Sequence, residues 1–171
     1  NHLEIVTQLL DRDQDLVKYK DTDEYTALHR AAYSHHPVML GQHYYYIQTG
    51  LDIDISDLLL RRGSDPLALT EGGWTALHSA SRWNSHKCVE TLLRLTPVNS
   101  VTKGGQTPLH LACQSHNKET LELLLMRPDI DPSFVNNQGD TARMVAERMG
   151  KLSHMFDAVS PSGGLTHKET S

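Results

Sequence analysis

A short motif that occurs four times constrains the fold of this chain more than any other feature. Each intact copy begins with threonine and has histidine three positions later, at residues 26–31, 75–80 and 107–112, and a degraded copy follows at 141–146. The second and third copies begin 32 residues apart, and the third and fourth begin 34 apart. A unit of this length cannot bury its apolar face alone, so neighbouring units must stack. The sequence therefore predicts an all-α repeat solenoid.

The residues of the motif indicate a helix start that carries its own cap. Threonine at the N-cap accepts a hydrogen bond from a backbone N–H of the first turn. A capping-box partner stands three residues later, where His78 follows Thr75. Pro108 occupies the first helical position, where its missing N–H costs nothing. The alternative makes His29, His78 and His110 catalytic or metal ligands, but capping accounts for them without a metal. The leucine and small alanines of the motif are predicted to face inward.

The motif, with its period near 33 residues, resembles the T-P-L-H-x-A signature of the ankyrin-repeat family. The resemblance implies helix–turn–helix pairs with short β-hairpin fingers. It also implies a non-enzymatic module that binds a protein partner.

The repeat pattern divides the chain into an ankyrin-repeat domain over residues 1–159 and a disordered tail over 160–171. In the last unit Arg143 replaces the motif leucine, as expected for a terminal repeat that exposes one face to water. Residues 1–10 have the apolar spacing of a second helix, whose first helix we expect upstream of Asn1 in a longer chain. The predicted units are a partial repeat at 1–20, repeats at about 21–69, 70–101 and 102–135, and a cap at 136–159. Second helices are predicted at 53–60 and 86–95, and a polar loop at 11–20.

An insertion of 16 residues separates the first two copies of the motif, which begin 49 residues apart. It falls at about 35–50, and solenoids tolerate insertions in the turns between helices. Its histidines His35, His36 and His43 raise the alternative of a metal site, although their spacing matches no usual structural zinc site. A surface loop, a splice variant and a gene-model error stay open. We expect the insertion to be dispensable, since loop closure varies slowly with length.

Composition argues against several classes of function. The formal charge of −5 leaves no basic stripe for direct nucleic-acid binding, and no apolar run reaches the ~18 residues that span a bilayer. Cys88 and Cys113 are predicted to be buried thiols of a reducing, intracellular compartment. The sequence has no nucleophile–base motif, phosphate loop or paired ligand set, so we expect neither catalysis nor a cofactor. We expect a monomer.

The family resemblance places partner binding on the concave face, which the hairpin tips and the outward side of each first helix line. Tyrosine, tryptophan and arginine dominate the energetics of such interfaces. The alternative is that the aromatic residues only cover seams between repeats. The residues that we predict for this candidate binding face are Thr22, Asp23, Tyr25, Tyr33, Glu71, Gly72, Trp74, Arg82, Trp83, Lys103, Gln106, Gln114 and Ser115.

A narrower resemblance concerns residues 23–34, 73–80 and 118–126, which are similar to one animal member of the family. That likeness implies an intracellular protein, nuclear more than cytoplasmic, that acts as an adaptor or regulator linked to transcription and germ-cell development. Two alternatives stay open. One is a substrate-recognition adaptor of a larger ligase or signalling complex, and the other is a metal-binding protein that uses the histidine-rich insertion.

Overall fold

The computed structural model of the protein describes residues 2–33 and 51–158. The predicted insertion at 35–50 and the predicted tail at 160–171 lie outside them. The α-helices are α1 (His2–Arg12), α2 (Ala27–Tyr33), α3 (Leu51–Arg61), α4 (Ala76–Arg82), α5 (His86–Leu92), α6 (Pro108–Gln114), α7 (Lys118–Leu125) and α8 (Ala142–Arg148). The 3₁₀-helices are η1 (Gln14–Lys18) and η2 (Ser153–Ala158). Isolated β-bridges join Lys20 to Thr26 and Val135 to Thr141.

The helices form two layers. The first helices α2, α4, α6 and α8 contact one another in chain order, and so do the second helices α1, α3, α5 and α7. Each first helix except α8 also packs against the second helix that follows it, and η2 takes that place beside α8. This arrangement confirms the predicted all-α repeat solenoid. Because all four first helices have only seven residues, stacking rather than intrinsic propensity must stabilise them.

The leucine and alanine residues of the motif lie between the layers, as the sequence predicts. Leu28, Leu77 and Leu109 are at most 1% exposed, and Ala80 and Ala112 are fully buried. Burying one such leucine stabilises the fold by about 2 kcal/mol, and the small alanines let neighbouring first helices approach closely. The core residues from α5 and α7, with the C-cap that ends α5, are Cys88, Val89, Leu92, Leu93, Leu121, Leu124 and Leu125.

Three boundaries differ from the predictions. Helix α3 begins at Leu51, ahead of the predicted residue 53. Helix α5 ends at Leu92 and not at 95, because the N–H groups of Arg94 and Leu95 bond three residues back and tighten the chain into a turn. The predicted polar loop at 11–20 is partly wrong, since α1 continues to Arg12 and η1 follows. The reason is tertiary: Val17 of η1 is 2% exposed, and η1 contacts both α1 and α2.

The motif histidines cap their own helices and bind the next repeat. In each pair the threonine Oγ1 and the histidine Nδ1 are 2.8 Å apart, as predicted for local capping. The opposite ring nitrogen, Nε2, then donates to a backbone carbonyl of the following hairpin. His29 reaches Trp74 at 2.9 Å, and His110 reaches Asp140 at 3.0 Å. Because Nδ1 also accepts from the threonine N–H, these contacts select the neutral tautomer with hydrogen on Nε2.

A second set of contacts joins the turns between helices across repeats. Ser85 Oγ donates to the carbonyl of Ala32 at 2.7 Å, and Asn117 Nδ2 donates to the carbonyls of Ser81 at 2.9 Å and Arg82 at 3.3 Å. These acceptors are C-terminal carbonyls of α2 and α4, which have no partner within their own helices. Helices α5 and α7 are therefore each tied at their start to the preceding repeat.

We expect Asn117→Ala to lower the free energy of unfolding by about 2 kcal/mol, because it leaves buried helix-end carbonyls without a donor. Asn117 is 8% exposed, and its side chain makes no capping bond to its own helix, so the loss reports the contact between repeats. Urea unfolding followed by circular dichroism measures it. Gln138→Ala, on an exposed hairpin tip, is the control and should leave the midpoint unchanged. Equal midpoints for both variants would contradict the assigned role.

The last repeat carries charged side-chain contacts on its outer side. Arg143, at the position of the motif leucine, is exposed and pairs with Glu147 at 3.0 Å and with Asp157 at 2.9 Å. Met144, at the position of the motif histidine, is 50% exposed. The pair with Asp157 connects α8 to η2, so Arg143 makes charged contacts at a position that is apolar and buried in the intact motifs.

Candidate functional site

The hairpin tips share one backbone geometry. In the tip at 70–74, the N–H of Thr70 donates to the carbonyl of Trp74 at 3.0 Å, and the N–H of Gly73 donates to Thr70 at 2.9 Å. Thr70 Oγ1 also accepts from the N–H of Trp74 at 3.1 Å. The tips at 21–25, 102–106 and 136–140 repeat these contacts. Their backbone is satisfied internally, so the exposed side chains are not needed to hold the turns.

Neighbouring tips are joined by backbone hydrogen bonds. Lys103 donates to the carbonyl of Gly72 at 3.0 Å, and Asn137 donates to Gly104 at 3.1 Å. Gly105, at φ +70°, makes this approach feasible, because an added Cβ would lie 2.7 Å from Oδ1 of Asn137. The tips therefore form a continuous row. The predicted face residues Thr22, Asp23, Glu71, Gly72 and Lys103 are exposed along it.

Four predicted face residues meet at the C-terminal ends of the first helices. The rings of Tyr33 and Trp83 pack edge to face with centroids 4.7 Å apart, which joins the first repeat to the second. The guanidinium of Arg82 lies 5.0 Å from the centroid of the Trp83 ring and donates to Ser115 Oγ in the third repeat. All four side chains are half-buried. We call Tyr33, Arg82, Trp83 and Ser115 the aromatic–arginine cluster.

The other predicted aromatic residues stand at the N-terminal ends of the first helices. Tyr25 is covered by Arg30, whose guanidinium carbon is 4.4 Å from the ring centroid and which also pairs with Asp21. Trp74 tilts towards His78, with ring centroids 6.3 Å apart. Tyr25 and Trp74 are half-buried beside the hairpin row and do not contact the aromatic–arginine cluster directly.

Towards the C-terminal repeats the face becomes polar. Gln114 Nε2 donates to Gln106 Oε1 at 3.2 Å. In the next repeat Arg148 and Asp140 occupy the equivalent positions and form an ion pair. The predicted face omitted Arg148 and Asp140 because the last unit was interpreted only as a cap. Both could have been identified from the repeat, because Asp140 and Arg148 stand at the positions of Gln106 and Gln114 in the preceding unit.

Arg30 was also missed. It stands where the second motif copy has Ser79 and the third has Leu111, and it was not among the residues predicted for the candidate binding face. In the structure Arg30 is exposed and covers Tyr25. A charged side chain at a position that varies among the copies of the motif could have marked it as a surface residue.

Burial keeps the titratable groups of the core in their neutral forms. Burial lowers the pKa of His78 to about 4 and lowers those of His29 and His110 as well. Burial likewise raises the pKa of the Cys88 thiol to about 11 and that of Cys113 to about 12. Both cysteines are free and buried thiols, as predicted. A neutral buried thiol is a poor nucleophile and metal ligand.

Residues 2–33 and 51–158 contain neither a metal-binding cluster nor a membrane-spanning helix. In this part of the chain no group of three or more histidine, cysteine, aspartate or glutamate side chains could hold a metal ion. The histidines of the predicted insertion lie outside it, so that alternative is untested. Within the same residues, each helix is too short or too polar to cross a membrane.

Comparison with known proteins agrees with the repeat geometry. A family model described as ankyrin repeats (3 copies) matches residues 43–134 and 96–155, which together exceed half of the chain. No curated protein matches the chain significantly. The matched segments contain the second, third and fourth copies of the motif. The chain therefore belongs to the ankyrin-repeat family.

Proposed function

We propose that this chain is a non-enzymatic module that binds a protein partner through the candidate binding face. Ankyrin repeats mediate protein–protein binding, which supports the general class. The observation that carries the proposal here is the aromatic–arginine cluster, whose members come from three successive repeats and stay half-buried. Tryptophan, tyrosine and arginine are the residue types in which binding energy concentrates.

The residues around the aromatic–arginine cluster favour a role in partner binding in addition to packing between repeats. Leu77 and Ala80 of the same helix are fully buried and supply the contact between layers. The carbonyls at the end of α4 already accept hydrogen bonds from Asn117. The apolar core and the end of α4 thus have contacts of their own, and the half-buried Trp83 packs against Tyr33 at the edge of the stack. This position supports a role in binding beside its role in packing.

A narrower role is proposed from the likeness of residues 23–34, 73–80 and 118–126 to ankyrin repeat domain-containing protein 49 of animals. In this role the chain is a monomeric adaptor or regulator in the nucleus, linked to transcription and germ-cell development, without direct contact to nucleic acid. Imaging of the tagged full-length protein in germ cells tests the location, and exclusion from the nucleus would contradict it. A substrate-recognition adaptor of a larger ligase or signalling complex is the alternative, and co-purifying ligase subunits would favour it.

We expect Trp83→Ala to weaken partner binding by about 2 kcal/mol, which is roughly thirtyfold in Kd. The partner is first identified by proximity labelling with the full-length protein, and its affinity for the purified chain is then measured by isothermal titration calorimetry. Tyr19→Ala is the matched control, because Tyr19 is 73% exposed and lies outside the binding face.

The far-ultraviolet circular dichroism of Trp83→Ala should match that of the unmodified chain. Unchanged affinity would contradict the proposed face. Unfolding of the variant would show instead that Trp83 is chiefly a packing residue.

A further inference from the structure

Arg82 differs from the other half-buried arginines of the described residues in having no carboxylate partner. Arg62 pairs with Asp11 at 2.7 Å, and Arg127 pairs with Asp129 at 2.9 Å. The contacts of Arg82 are a neutral hydroxyl and an aromatic ring. A partly buried charge without a counterion is costly, since it loses hydration and gains no compensating attraction.

The guanidinium of Arg82 is nevertheless held in one orientation. Ser115 Oγ accepts from Nη1 of Arg82 while it donates to the carbonyl of Leu111 at 3.1 Å, so both the donor and acceptor functions of this hydroxyl are used. The ring of Trp83 supports the guanidinium from one side. A guanidinium has five N–H donors, and Ser115 accepts from one nitrogen, so donors remain for a ligand.

We propose that Arg82 binds an aspartate or glutamate side chain of the protein partner, next to an apolar residue that contacts Tyr33 and Trp83. This inference rests on the proposed function and specifies the chemistry of the partner. A carboxylate accepts two parallel hydrogen bonds from a guanidinium, and such charge-assisted pairs are stronger than neutral ones. The orientation imposed by Ser115 and Trp83 reduces the ordering cost of forming the pair.

A carboxylate fits this position better than a phosphate. Phosphorylated segments are usually bound by clusters of arginines, whereas Arg82 is the one guanidinium of the aromatic–arginine cluster. Asp23 and Glu71 on the hairpin tips have no ion pair within the described residues. They precede the N-terminal ends of α2 and α4, whereas the cluster lies at the C-terminal ends of these helices, which are about 10 Å long. Their negative charge disfavours a dianion more than a monoanion.

The test selects a random linear peptide library, displayed on phage, against the full chain. We expect the selected peptides to carry aspartate or glutamate at one fixed position beside a large apolar residue. In a synthetic peptide of the selected sequence, glutamate→glutamine should raise Kd about tenfold. Arg82→Gln in the protein should raise the Kd of the original peptide about tenfold as well. The glutamate and glutamine peptides should then bind this variant with equal affinity.

Arg94→Gln is the matched control, because Arg94 is exposed and also lacks a carboxylate partner within the described residues. Arg94→Gln should leave the affinities of the glutamate and glutamine peptides unchanged. Arg82→Lys should bind the glutamate peptide more tightly than Arg82→Gln does, and less tightly than the unmodified chain. Should Arg82→Gln fail to fold, Arg82→Lys and the substitution in the peptide still test the pair.

Selected peptides without an acidic preference, or a peptide affinity insensitive to Arg82→Gln, would overturn this inference and leave the proposed function standing. A peptide in which phosphoserine binds and glutamate does not would overturn the choice of carboxylate. Failure of the chain to enrich any peptide relative to Trp83→Ala would overturn the proposed function as well.

Discussion

Replacement of His78 by alanine is expected to lower the free energy of unfolding by about 3 kcal/mol, from lost hydrogen bonds and the cavity left behind. His78 is fully buried. Its Nε2–H is shared between the carbonyls of Ser100 at 3.0 Å and Gln106 at 3.2 Å, and its Nδ1 accepts from the N–H of Thr75 at 3.1 Å. The substitution therefore removes the side-chain half of the capping box and the contact with the third repeat, while the backbone N–H of residue 78 still donates to Thr75 Oγ1.

Urea unfolding of the purified variant measures this effect. His154→Ala is the control, since His154 is exposed, and it should change the free energy of unfolding by less than about 0.5 kcal/mol. An unchanged midpoint for His78→Ala together with lost partner binding would contradict the structural role and indicate a chemical one.

Acidification from pH 7.5 to pH 5 is expected to destabilise the chain by about 2 kcal/mol through His78 alone. Burial lowers the pKa of native His78 from 6.5 to about 4. An unfolded histidine takes up its proton near its ordinary pKa, so the unfolded state binds more protons in this interval. The contribution of His78 to the free energy of unfolding is therefore fully present above about pH 7 and decreases towards pH 4. A proton on Nδ1 would face the N–H of Thr75, so two hydrogens would oppose each other. This repulsion explains why protonation of His78 disfavours the folded state.

His29 and His110 add to the same trend, because burial lowers both pKa values. Carboxylates affect stability only at lower pH. The hydrogen bond from Arg30 lowers the pKa of Asp21, so the stabilisation that Asp21 provides is lost only in more acidic solution. Urea unfolding at both pH values measures the difference. In His78→Gln the difference should shrink by about 2 kcal/mol. Equal or greater stability of the unmodified chain at pH 5 would contradict the assignment.

The residues of the candidate face were accessible to sequence reasoning because repeats impose a register. Tyr25, Trp74 and Gln106 occupy the same place in successive hairpins, so a position inferred for one applies to all. Which of the face residues touch one another was not accessible. The contact of Tyr33 with Trp83 joins residues 50 apart in sequence, and it depends on side-chain rotamers that only a packed neighbour selects.

Interactions within one turn of helix were determined by the sequence itself. The capping of His78 by Thr75, the left-handed Gly63 after α3 and the inward direction of Leu77 depend on residues at most a few positions apart. Propensity, capping and periodicity act over that range, so the pattern specifies them without knowledge of the neighbours.

Contacts between repeats were decided by the tertiary structure. The second hydrogen bond of each motif histidine and the burial of Val17 in η1 depend on residues in adjacent units. So does the hydrogen bond of Arg82 to Ser115, which has no carboxylate counterpart within residues 2–33 and 51–158. No local pattern encodes them, because stacking brings together side chains about one repeat apart and selects one orientation among several. The proposed carboxylate site is a product of that stacking, since it takes its aromatic wall and its hydroxyl from different repeats.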